Sequence, residues 1–197
     1  MRFCEKVLDI VTVNLLFVVS CLPILTIGVA KISLYQTIFE VKRSRRIPVF
    51  KIYIRAFKQN LKLGFQLGLL ELGIFLISVV DLSLFWSQTG VAFQLIKAIC
   101  LGILIFLTLV MLASYPIAAR YELTWKEVLQ KGLLLVSFNF VWFFLMLAII
   151  LLIIMLLYLS GFTLVLGGSA FLLFGFGFLA FCQAGLMEKL FAKYQAD

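Results

Sequence analysis

The chain contains no histidine, which removes the side chain most used for proton transfer near neutral pH and the commonest metal ligand. Its four cysteines, Cys4, Cys21, Cys100 and Cys182, stand apart with no CxxC pair, so neither a zinc site nor a disulfide framework is indicated. There are no clustered carboxylates and no nucleophile elbow, and acid–base, metal and covalent catalysis therefore lack their usual parts. The expectation is a protein that is not an enzyme and needs no cofactor. Charge is scarce as well, at 13% of 197 residues. What fills the chain is apolar: 64% of it is hydrophobic, whereas soluble domains are roughly half apolar. The solvent that accommodates this surface is lipid.

Between the sparse charges lie apolar stretches of about 20 residues or more, enough to cross a bilayer. Because backbone groups in hydrocarbon must pair internally, such stretches are predicted to be helices. The expected fold is all-α, a polytopic transmembrane bundle forming a single domain over 1–197, with about five crossings. The crossings are expected near 7–39, 63–85, 91–119, 132–159 and 162–187. The first run is too long for one straight crossing, and Pro23, Thr26 and Gly28 lie near its middle. Proline removes a backbone donor and clashes with the preceding turn, so a break is expected there. The run is either one long kinked crossing or two half-helices folded back as a re-entrant hairpin. It does not read as a signal peptide, because Glu5 and Asp9 interrupt its front end and apolar residues continue past Cys21.

The net charge is +8. The excess sits mostly in the connector 40–62, which carries Lys42, Arg43, Arg45, Arg46, Lys51, Arg55, Lys58 and Lys62. This pattern fits membrane topology better than nucleic-acid binding, and it places the connector in the cytoplasm. Arg120, Lys126, Lys131 and Lys189 fall on the same side, while the turns 86–90 and 160–161 hold no Lys or Arg. With five full crossings the amino terminus, with Arg2 and Lys6, falls outside; a re-entrant first segment brings it inside. Beyond Pro48 the connector has amphipathic helical spacing. Phe50, Ile54, Phe57 and Leu61 share one face, and Lys51, Arg55, Lys58 and Lys62 a neighbouring one. That basic face suits anionic headgroups or an acidic partner.

Four charges interrupt the apolar runs: Lys31, Glu71, Asp81 and Lys97. Isolated charge is costly in hydrocarbon and is normally paired or marks a polar path. Counted from the loops at about 1.5 Å per residue, Lys31 and Glu71 come to similar depth, as do Asp81 and Lys97, so two pairs are expected. Asn14, Gln66, Asn139 and Gln183 are the other polar groups and are expected to bond between helices. Gly64 and Gly68 form a GxxxG, and Ala180 and Ala184 a small-xxx-small pair. Such spacing lets helices approach closely, within one bundle or against another membrane protein.

Three stretches carry a family resemblance: Cys21-Leu22-Pro23-Ile24-Leu25-Thr26-Ile27-Gly28 with Leu34-Tyr35; Phe57-Lys58-Gln59-Asn60; and Tyr115-Pro116-Ile117-Ala118-Ala119-Arg120-Tyr121. In this order they resemble the YesL family of bacterial membrane proteins, over nearly the whole chain. Cys21 stands where that family usually has Ser, and Lys31 where a small residue is expected. The family is a domain of unknown function whose members often sit beside carbohydrate ABC importers in Gram-positive bacteria. The resemblance implies a location in the bacterial cell membrane. It also implies a role as an accessory or assembly subunit contacting importer permease subunits. The alternative is a stand-alone small-solute channel or transporter. Within these motifs Thr26 is expected to satisfy a carbonyl freed by Pro23. Tyr115 and Pro116 are expected to kink the third crossing near the end that Arg120 anchors.

Overall fold

The computed structural model describes residues 2–44, 48–88 and 90–194; Arg45 and Arg46 of the basic connector lie outside the described residues. The described residues form helices and no strand: α1 (Arg2–Ser20), α2 (Ile27–Arg43), α3 (Val49–Gln59), α4 (Leu61–Phe85), α5 (Val91–Arg120), α6 (Trp125–Phe138), α7 (Phe140–Leu157), α8 (Gly161–Ala170) and α9 (Phe176–Tyr194). Five helical segments are long and apolar enough to cross a membrane: 24–43, 61–85, 91–120, 140–157 and 161–192. Four of them turn most of their surface outward, through side chains such as Ile77, Leu84, Val141, Val165 and Phe178. A continuous apolar exterior of this kind is matched to acyl chains, not to water.

The exception is α2, 61% of whose apolar stretch is buried against 11–17% in the other four. It packs on α1, α3, α4, α5 and α9 and is the axis of the bundle. Its small and polar residues permit this: Gly28, Ala30, Ser33 and Thr37 are fully or nearly fully covered. Ser33 and Thr37 return their hydroxyls to the carbonyls of Val29 and Ser33, each at 2.8 Å, so neither brings an unpaired group into the core.

The first apolar run is two helices joined by a 3-10 turn at Ile24–Thr26. Pro23 follows the end of the first arm, and the Thr26 hydroxyl lies 2.7 Å from both the Ser20 and Pro23 carbonyl oxygens; the carbonyl four residues before Pro23, that of Val19, is met instead by the Leu22 N–H. The second arm meets α4 at Gly64 and Gly68, and Ile24 lines a pocket with Leu72 and Phe75. The turn is therefore level with residues 68–75 of α4, which runs at least ten residues further, roughly 15 Å. It stops well short of the far end of the bundle.

Two other runs are also divided. The segment 132–159 belongs to α6 and α7, with α6 starting at Trp125 and a break at Asn139. Gly132 lets α6 lie against Ser114 and Val110 of α5. The segment 162–187 contains a π-helical turn at Phe171–Gly175 between α8 and α9. The inward face of α3 is set by its neighbours. Val49, Tyr53 and Ala56 are buried, Ile54 and Phe57 are partly covered, and Phe50 and Leu61 are exposed. The reason is that α3 rests on both α1 and α2, so the face they cover, and not the most apolar stripe, points inward. Lys51, Arg55, Lys58 and Lys62 remain exposed, as expected.

Candidate functional site: an internal polar network and a groove at the basic end

Lys31 and Glu71 meet as expected. The Lys31 ammonium donates to Glu71 Oε1 at 2.7 Å and Oε2 at 2.8 Å. Tyr115 completes the cluster: its hydroxyl donates to Glu71 Oε2, and its ring centroid lies 4.7 Å from the Lys31 ammonium. The pair thus joins α2 to α4 while Tyr115 ties both to α5. The tyrosine was expected to shape and anchor the cytoplasmic end of the third crossing, not to bind a carboxylate; spacing along α5 does not reveal which carboxylate its hydroxyl reaches.

One turn further along α2, the Tyr35 hydroxyl donates to Gln183 Oε1 at 2.6 Å. The other end of the Gln183 amide donates to the carbonyl of Leu112. That acceptor has a specific origin. Leu112 stands four residues before Pro116, which lies inside α5 and has no N–H to offer it. Gln183 repairs the fault from another helix. Asn14 does the same for the π turn. Its Nδ2 donates to Leu172 O at 2.6 Å, and its Oδ1 accepts from Gly177 N at 2.7 Å. Thr26, Gln183 and Asn14 each attend a departure from α-helical bonding that hydrocarbon would otherwise leave unpaired. Asn14→Leu or Gln183→Leu is expected to cost about 2–4 kcal/mol, because each strands one buried and one partly buried partner in hydrocarbon. Chemical denaturation in detergent measures this, and a loss below about 0.5 kcal/mol would refute the repair role.

Asp81 and Lys97 do not pair with each other. Lys97 donates to the carbonyls of Trp86 and Gln88, each at 2.9 Å, and Asp81 lies 3.8 Å from the Cys100 sulfur. The carbonyls of Trp86 and Gln88 lie just past the end of α4, where no helical N–H follows to meet them, and they are nearer that end of the bundle than Asp81 is. A second ion pair, Lys42–Glu188 at 2.7 Å, ties α2 to α9 at the basic end and was not expected. The small residues act within the bundle: Gly28 packs on Gly64 and Gly68, while Ala180 and Ala184 are buried on α9, which packs on α2. Arg120 lies 4.8 Å from the Phe191 ring, holding the ends of α5 and α9 together.

At the basic end a groove of about 990 Å³ opens between α3–α4 and the α5–α6 junction. Gln59, Gln66, Arg120, Glu122, Trp125 and Lys126 are among its lining residues. Asn60 braces one wall by donating to Gln36 at 2.8 Å. On the other wall Thr124 and Glu127 form a capping box that starts α6. The Thr124 backbone N–H and then its hydroxyl hold the Glu127 carboxylate below its ordinary range.

An apolar exterior, interhelical polar bonds and charge gathered at one end define a multi-pass helical membrane protein. Residues 10–82 match the family model described as "Protein of unknown function, DUF624". The match spans the Pro23 turn, α2, the connector and the Lys31–Glu71 pair. No curated protein and no solved structure matches the chain.

Proposed function

We propose that this chain is a non-enzymatic accessory or assembly subunit in the bacterial cell membrane, working alongside a carbohydrate ABC importer. The observation that carries this reading is the groove at the basic end. It is built from rigid helix ends and edged by amides, one indole and charges of both signs, which suits the polar loop of another membrane protein. The likeness to the YesL family supplies the class of partner, importer permease subunits. The DUF624 match agrees with that likeness at the level of a family without known function. The basic end faces the cytoplasm in this reading, as its lysines and arginines favour. The α1–α2 pair is then a re-entrant hairpin entering from that side. This keeps Arg2 and Lys6 inside and removes the conflict that five full crossings create.

The test is affinity isolation from native membranes in mild detergent, with mass spectrometry of what co-purifies. Importer permease subunits are expected, and their yield is expected to fall at least tenfold when Trp125→Ala is combined with Gln59→Glu in the groove. Recovery of the bundle alone would contradict the proposal. The alternative, a stand-alone channel or transporter, predicts solute flux in proteoliposomes of the purified chain; the accessory reading predicts none.

A further inference from the structure

A second cavity, of about 350 Å³, lies between the Pro23 turn, α4 and α5. Its wall is apolar except in three places: Lys31, Glu71 and Thr108. Ile24, 62% exposed, and Phe75, 50% exposed, lie where it opens on the outer surface of the bundle. Glu71 is ten residues from the start of α4 and fourteen from its end, roughly 15 Å and 21 Å, so the opening faces acyl chains and not headgroups.

An ion pair inside hydrocarbon is expected to be sealed by protein. This one is not: the Lys31 and Glu71 side chains keep 28% and 29% of their surface. Their hydrogen bonding is also unfinished. The ammonium has three N–H groups, two of which are met by the Glu71 oxygens. Among the described residues Oε2 serves both Lys31 and Tyr115, whereas Oε1 serves Lys31 alone. Among the described residues no oxygen or nitrogen meets the third N–H, which has only the Tyr115 ring 4.7 Å away, or the second lone pair of Oε1, and the two lie beside each other at the polar end of an otherwise greasy pocket that opens to lipid.

We infer that this pocket binds one uncharged amphiphile from the bilayer, an alkyl chain ending in a hydroxyl group. Charge selects the class. Lys31 and Glu71 cancel, so a charged head would bring net charge into hydrocarbon at a cost of several kcal/mol. A hydroxyl both donates and accepts, and meets the free Glu71 lone pair and the free Lys31 N–H together. A chain without such a head leaves both unmet. The pocket's size is within the range of small-molecule sites. The inference is independent of the accessory role, since it concerns a different site and needs no protein partner.

The experiment is thermal unfolding of the purified full chain in detergent with 1-monooleoylglycerol as probe. Methyl oleate is the control with the same acyl chain and no hydroxyl, and oleate is the charged control. Monooleoylglycerol is expected to raise the midpoint by about 4 °C or more, and the two controls by less than about 1 °C. Leu104→Trp, which fills the pocket, is expected to abolish the shift. So is Ile24→Trp, which crowds the mouth at an exposed position and leaves the fold intact. The inference fails if the unsubstituted chain shows no shift, if methyl oleate or oleate stabilises equally, or if the shift survives in the Ile24→Trp variant.

Discussion

Gly28→Ala is expected to destabilise the bundle by about 2–3 kcal/mol, and Gly28→Leu to prevent a stable fold. A Cβ at Gly28 would overlap the Gly64 carbonyl oxygen and come within 2.8 Å of the Gly68 Cα. Both obstacles are backbone, so no side chain can turn aside, and α2 and α4 would have to separate. Separation also lengthens the Lys31–Glu71 bridge a turn away. Gly64→Ala meets the backbone of Val29 at 2.5 Å and is expected to cost as much. The comparison that makes the prediction sharp is Gly73→Ala on the same helix. Nothing lies within 4 Å of a Cβ there, and alanine is the better helix former by up to about 1 kcal/mol. Denaturation in detergent should therefore show opposite signs for two substitutions nine residues apart. Equal effects would mean that the glycine crossing does not exist.

The second large effect concerns the ion pair. Glu71→Gln leaves Lys31 charged in a pocket with no counter-charge, and Lys31→Met leaves Glu71 with Tyr115 alone. Each is expected to cost about 2–4 kcal/mol, somewhat below a fully sealed pair because both side chains retain exposure. The double variant removes both charges and should lose much less than the sum. A coupling of at least about 1.5 kcal/mol is expected from the cycle. Additive losses would show that the two groups do not hold each other. Tyr115→Phe provides an internal check, since it removes one hydrogen bond to Glu71 without touching the charge balance, and should cost about 1–2 kcal/mol.

The bundle was legible in the sequence because apolar length is a local property. The basic connector and the uncharged opposite turns were legible for the same reason. Lys31–Glu71 could be anticipated because both residues are counted inward from one loop. Asp81 and Lys97 passed the same depth test and did not pair. Depth says nothing about rotation about a helix axis, and the exposed carbonyls of Trp86 and Gln88 compete for the ammonium. Gly28 was read as part of a break, but its role is contact, which becomes visible only once Gly64 and Gly68 are placed against it. Which side of α3 is covered was not legible, because α1 and α2, not local hydrophobicity, decide it: Tyr53 is buried and Phe50 exposed. The least legible features were the repairs. Asn14 stands 158 residues from the carbonyl it serves and Gln183 stands 71 from its own. The π turn itself leaves no mark in hydropathy, since apolar residues continue through it.

The Cys21–Thr26 turn ends inside the hydrocarbon, with the surrounding helices facing lipid, and the re-entrant hairpin stands or falls with that depth. Leu22, 79% exposed at that turn, is the place to test it. A spin label at Leu22→Cys, with the native cysteines replaced and the protein in liposomes, reports collisions with oxygen and with a water-soluble nickel chelate. High oxygen and low nickel accessibility are expected, with the reverse for a label at Gln88 in the far turn. Nickel accessibility at Leu22 equal to that at Gln88 would place the turn in water and contradict the account.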